Sequence, residues 1–409
     1  MLCEENIVPH CLIIECCGTA LFGCIIQEEI YVLNSVAKGA MTMKRMMLVW
    51  VMILCLVPLG AWAEGTAESG DSVLYVQLTP EQKSGIRYTY ISGDWKYDLL
   101  EGGGARLSAY TGSEGEIVIP EEIDGYPVLD LKWNLFIGNY TLIVPETHPG
   151  VELRDGVLFG KNDHRLICYP KNLTAASYVI PDGTEVIGNY AFFDCDRLSD
   201  VTIPDSVTEI GDSAFHGCSS LTHIRIPDSV AVVGDHVFSE CNSLVEIEVG
   251  KQAVNVGNAV SFCPNLLRIR VDEGNPHYFD EDGVLFCRDD EIDRDIGQPP
   301  YALAKYPAGR PGAEYVIPDG VNRIDARAFD SCGRLVSVVI PDSVVEIGYL
   351  AFCDCADLTS VTVPASVVSF GMKVVSGCDR LVFRVYPGSR AEEAFRYDGV
   401  PYEVIGTTE

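Results

Sequence analysis

The chain has 409 residues, of which 47% are hydrophobic and 22% charged, a globular composition that excludes wholesale disorder. Lysine and arginine number 29 against 59 aspartates and glutamates, a net charge of −30 at pH 7. Nucleic acid and anionic membrane surfaces, which both need a cationic face, are thereby poor partners.

Residues 1–40 differ from everything that follows. They hold five of the 16 cysteines (Cys3, Cys11, Cys16, Cys17, Cys24) in no repeating pattern. Next come Lys44 and Arg45, an apolar run from Met46 to Leu59, and the small-x-small triplet Ala61-Trp62-Ala63. A short cationic region, an apolar core and such a triplet make a secretory signal peptide, placed at 41–63 with cleavage after Ala63. The apolar run is shorter than the ~20 residues that a membrane span needs, so no span is expected after cleavage. A signal peptide does not work from behind 40 residues, so the expected initiator is Met41 or Met43, with 1–40 an upstream extension. The expected destination is secretion or the cell surface. Residues 64–92 read as a leader, and 93–128 as an N-terminal capping hairpin. Within it, Trp95 to Pro120 alternates apolar and polar residues around Gly102-Gly103-Gly104.

From 129 to 386 the chain repeats. Ile180, Ile203 and Ile226 each open an Ile-Pro-Asp triplet at a spacing of 23 residues, and the triplet returns at Ile317 and Ile340. Phe192, Phe215 and Phe238 keep the same spacing, followed by Cys195, Cys218 and Cys241, and the pattern returns as Phe329, Phe352, Cys332 and Cys355. In one unit, Leu221, Ile224 and Ile226 read as a short strand facing inward. Pro227, without an N–H, ends the ladder, and Asp228 and Ser229 suit the turn. Val230 and Val233 point back in, and Gly234 is expected at positive φ. The phenylalanine fills the interior and the cysteine packs where the chain bends back. One such unit cannot bury its own apolar face, whereas stacked units can. The predicted fold is a β-rich repeat solenoid with short helical or 3-10 turns, in two super-repeats at about 145–271 and 272–386. The second copy carries extra acidic sequence at 288–300, read as a surface loop. Residues 387–409 read as a C-terminal helix-strand cap, with Ser389 as helix N-cap.

A period between 20 and 29 with this apolar layout is a leucine-rich-repeat signature. The segment Ile203 to Pro227, IPDSVTEIGDSAFHGCSSLTHIRIP, resembles the BspA-like leucine-rich repeats of bacterial surface proteins, and the resemblance extends over roughly 93–405. It implies an exported, non-catalytic binding or adhesion protein, since some members bind host matrix proteins. The alternative is a structural or glycan-associated module of the cell envelope.

The residues themselves offer little catalytic chemistry. The cysteine column reads as a ladder of buried thiols: export permits disulfides, but copies that all point the same way suit S–S geometry badly. Zinc is disfavoured by the lack of a C-x-x-C pair. The column Asp182, Asp205, Asp228, Asp319 and Asp342 reads as turn-stabilising, since no calcium loop pattern is present. His216 and His236 occupy variable positions and are expected in solvent. No zincin, nucleophile-elbow or phosphate-loop motif occurs. The expectation is therefore no enzyme, no cofactor and no metal, with a protein or glycan as partner. The candidate ligand-binding residues are His223, Arg225, Glu246, Glu248, Arg268 and Arg270. They form an arginine-containing cluster where other strands carry mostly Ser, Thr and Val, and arginine is enriched at interface hot spots.

Overall fold

The computed structural model describes residues 89–113, 115–132, 135, 140–288 and 301–406, together with the backbone of short strands between positions 11 and 76. The signal-like stretch from Met41 to Ala61 and the insertion from 289 to 300 lie outside the described residues. The chain divides into two compact units. The first holds residues 1–114, 120–135 and 147–150; the second holds 115–119, 136–146 and 151–409.

In the first unit, Thr89–Ser92, Trp95–Leu99 and Ala105–Tyr110 form an antiparallel meander. The three glycines at 102–104 all have φ near +100° and make its second turn. Tyr126–Leu131 adds in parallel to Ala105–Tyr110. Tyr97 is buried, with its hydroxyl donating to Asp124 Oδ2 at 2.8 Å.

The second unit is a three-sided coil. On one side, strands of three or four residues pair in parallel: Ser177–Val179 with Asp200–Thr202; His223–Ile226 with Glu246–Val249 and then Arg268–Val271; and Glu314–Val316 with Ser337–Val339, Ser360–Val363, Val382–Val385 and Tyr402–Val404. On a second side, two-residue strands do the same at Val186–Ile187, Glu209–Ile210 and Val232–Val233. The third side is a ladder of turns. Tyr190, Phe192 and Asp194 donate their N–H groups to the carbonyls of Asp212, Ala214 and His216 one coil on, at 3.0, 2.7 and 2.7 Å. Leu221, Ile224, Ile226, Val230 and Val233 are buried, so each 23-residue coil closes around its own apolar residues and shares that core with its neighbours.

The repeat glycine acts differently from the sequence expectation. Gly234 is not among the positive-φ glycines. Its need is space: a Cβ there would sit 2.5 Å from the Asp212 backbone nitrogen, and one at Gly371 2.3 Å from that of Tyr349. Successive coils touch backbone to backbone at this corner. The left-handed positions lie instead on either side of the Ala-Phe pair, at Tyr190 and Asp194, Ser213 and Gly217, His236 and Glu240, with φ between 53° and 74°. Only one of these six is glycine, so the turn ladder imposes on ordinary side chains a conformation they rarely adopt alone.

The two Gly-Val-Leu-Phe segments that the sequence duplicates each lie in an antiparallel hairpin. Val157–Gly160 and Arg165–Cys168 form the first, and Val284–Arg288 and Tyr301–Lys305 the second. The second hairpin is buried on both faces. Leu285 and Ala304 belong to the core before it, and Val284, Phe286 and Leu303 to the core after it, as the period-2 alternation of a strand requires. A buried ion pair, Lys305 with Asp330, lies at the same junction. Asp330 Oδ2 also accepts the N–H of Phe262 at 2.8 Å, and Lys305 donates to the Arg327 carbonyl at 2.8 Å.

Among the described residues there are two helices, Val256–Ala259 and Arg390–Asp398. Ser389 Oγ accepts the Glu392 N–H at 3.2 Å at the start of the longer one. Its buried Phe395 packs on Phe383, with ring centroids 4.4 Å apart. No helix among the described residues is long and apolar enough to cross a membrane.

Candidate functional site

The six residues singled out from sequence fall on three adjacent strands in strict register. His223, Glu246 and Arg268 form one row across the sheet, and Arg225, Glu248 and Arg270 the next. Between the rows, Ile224, Ile247 and Ile269 point into the core. The alternation that buries the isoleucines thus sets the polar residues on one rigid outer face.

One of the six departs from an exposed position. Glu246 is buried, held by Arg268 Nη2 at 2.7 Å from Oε2 and by Arg270 Nε at 2.8 Å from Oε1. The Arg268 hydrogen bond is aligned, whereas Oε1 has close contact with Arg270 but no hydrogen bond. The Arg268 hydrogen bond and the Arg268 and Arg270 charges hold the Glu246 carboxyl below its ordinary range. Two of the three arginines therefore neutralise a carboxylate of their own sheet. Both arginine side chains are about half exposed, so the pairing is worth less than about 1 kcal/mol. Arg225 and Glu248 stand exposed beside this network, and His223 Nδ1 lies 3.2 Å from Thr222 Oγ1.

The repeat-core residues stand in columns. Phe192, Phe215, Phe238, Phe329 and Phe352 have no exposed surface. Their rings stack at 4.7 Å (Phe192 on Phe215), 5.6 Å (Phe215 on Phe238) and 5.1 Å (Phe329 on Phe352), within 16° of parallel. Cys195, Cys218, Cys241, Cys332 and Cys355 are buried and unpaired. Each thiol points at the carbonyl of the aromatic residue one coil back. Cys218 donates to Phe192 at 3.1 Å, Cys241 to Phe215 at 3.2 Å and Cys355 to Phe329 at 2.9 Å, with longer contacts from Cys195 to Tyr169 and Cys332 to Tyr306. Burial pushes the thiols of Cys218 and Cys241 well above their ordinary value and that of Cys263 up to about 12. As protonated thiols they serve as weak hydrogen-bond donors to those carbonyls. In the aspartate column, Asp228 reaches the next coil, pairing with Lys251 Nζ at 2.5 Å and accepting the Lys251 N–H at 3.3 Å. No cluster of three or more His, Cys, Asp or Glu suited to a metal occurs among the described residues.

The turn side departs from the sequence expectation: His236 is exposed, but His216, expected in solvent, keeps only 24% of its side chain exposed because neighbouring rings pack on it. The residue after the core phenylalanine is Phe193, then His216, then Ser239, one per coil. The rings of Phe193 and His216 stack at 5.0 Å and 19°, and Tyr190 stands 5.4 Å from Phe193. At Ser239 a cleft of about 380 Å³ opens, bounded also by His236, Glu240 and Phe262. The signal was available in the sequence as rings at the same 23-residue period as the core.

These features define a leucine-rich-repeat solenoid. Residues 168–280 and 313–389 match the BspA type leucine rich repeat region in six copies, so the repeats in those segments are of that type. Among solved structures the chain is similar to a leucine rich cell surface protein of Faecalibacterium prausnitzii, at 26% identity over 78% of this chain and 95% of that one, with a TM-score of 0.43. It is similar also to a leucine-rich repeat protein of Eubacterium ventriosum (19% identity, 73% and 72% covered, TM-score 0.44) and to the pneumococcal vaccine antigen PcpA (18% identity, 73% and 81% covered, TM-score 0.40). No curated protein matches the sequence.

Proposed function

We propose that this is an exported, non-catalytic bacterial surface or secreted protein that binds a protein ligand through its strand face. The repeat family supports this reading, as does the signal-like sequence at 41–63. The observation that carries it is the register of His223, Glu246 and Arg268 beside Arg225, Glu248 and Arg270. Polar side chains at fixed spacing on a backbone backed by buried isoleucine are pre-organised, and pre-organisation lowers the ordering cost of binding. The test is a screen of the immobilised protein against extracellular-matrix proteins and glycans. For a protein ligand so found, Arg225→Ala combined with Arg268→Ala should weaken binding at least tenfold, about 1.4 kcal/mol. Unchanged affinity in a folded double variant removes this face, and retention of glycans alone favours a cell-envelope module.

A further inference from the structure

The turn side carries a second surface with a narrower chemistry. Phe193 and His216 continue each other as a stacked column, and the next position in the column is Ser239. Its short side chain is buried, with Oγ 3.4 Å from His236 Nδ1. Coils stack at the ~4.8 Å spacing of neighbouring strands, which is also close to the separation of two stacked rings. The ring column therefore ends at His216, and no ring of the Ser239 coil fills the slot beside it. The cleft of about 380 Å³ stands there, with the face of His216 on one side and Phe262 also lining it.

We propose that this slot binds a planar cation, the guanidinium of an arginine side chain on a partner protein. Three observations point to that occupant. Rings that line the cleft already take cations within the chain: Lys171 Nζ lies 5.2 Å from the Phe193 centroid, and Arg327 Cζ lies 6.0 Å from that of Phe262. Aromatic faces attract such groups through their quadrupole. Glu240, with 60% of its side chain exposed, stands on the rim with Oε1 3.8 Å from His216 Nε2, and supplies an acceptor for the guanidinium N–H fork. The chain as a whole carries −30, which draws cationic partners. Arginine rather than lysine fits, because a flat delocalised guanidinium stacks on an aromatic face while a compact, strongly hydrated ammonium does not. The inference rests on the protein-binding reading but uses a different face.

The test needs no knowledge of the natural partner. The full-length protein, labelled at its histidine rings, is titrated with blocked Gly-Arg-Gly, Gly-Lys-Gly and Gly-Tyr-Gly peptides, and with a neutral oligosaccharide, and followed by NMR. The arginine peptide should give saturable shifts at His216 and His236, with at least about tenfold weaker binding for the lysine and tyrosine peptides. Ser239→Phe, which places in the slot the ring that the column carries at 193, should abolish the shifts. Glu240→Gln, on the surface, should weaken them at least about fivefold. The strand-face double variant should bind the arginine peptide like wild type, so loss of that face and loss of this slot are separable. Equal binding of the lysine or tyrosine peptide, a saccharide that shifts the same histidines, no saturable shift, or undiminished binding by Ser239→Phe would each overturn the proposal.

Discussion

A cysteine in the repeat column does what no purely apolar residue of its size does: it fills the bend and offers a weak donor to a carbonyl one coil back. Burial costs the thiolate so much that the thiol stays protonated. In the native protein these thiols should resist iodoacetamide at mildly alkaline pH. In denaturant without reductant they should all react, which mass spectrometry of the alkylated peptides reads directly; widespread disulfide-linked peptides would contradict the ladder. The linkage has a definite sign. A raised folded pKa means that the contribution to stability is complete below the ordinary thiol range and is lost as pH rises above it. The same scale shows what residue identity conceals. The glycine column advertises backbone freedom, yet Gly234 serves close approach of coils, while the unusual backbone falls to Tyr190, Ser213 and His236. Sequence spacing says where a residue recurs; it does not say whether a missing Cβ serves torsion or distance.

A single coil is an element whose stability is borrowed from its neighbours. Phe215 lies between Phe192 and Phe238, with both rings within 6 Å. Phe215→Ala should cost on the order of 3–5 kcal/mol, and nearest-neighbour coupling should confine the damage. Hydrogen exchange should rise in the coils around 192, 215 and 238 and stay unchanged around 352; unchanged protection near 215 would mean that the stack is not structural. At this scale the sequence is most readable. The period fixes which residues face inward, because one coil is one period and the apolar positions repeat with it. The outer face is less readable. Glu246 occupies an outward position in the alternation, yet two arginines close over it. Side-chain pairing across strands depends on rotamers that the period leaves free. The slot over Ser239 was overlooked for the complementary reason: it is made by the absence of a ring, which a search for chemically active residues does not register.

Over the whole molecule, the junction between super-repeats concentrates the risk. Lys305 and Asp330 occupy the positions held by Cys168 and Phe193 in the first copy, so a neutral pair has been exchanged for a charged one where two cores meet. Removing one partner of a buried pair typically costs about 3–5 kcal/mol. Asp330→Ala would also orphan the Phe262 N–H. Calorimetry of this variant should show a lowered Tm with separation into two transitions, the halves on either side of the hairpin melting apart; a single unshifted transition would mean that the pair is dispensable.

The two-faced hairpin at 284–305 has a further consequence, for how such a chain changes length over generations. Its leading face accepts a finished coil through Leu285 and Ala304, and its trailing face starts a new one through Val284, Phe286 and Leu303. A duplicated segment that begins with this hairpin brings its own adaptor. Copy number can then rise or fall by whole super-repeats without any new joint having to be invented, while insertion of a lone fragment of a coil would leave both neighbours facing a surface that neither matches.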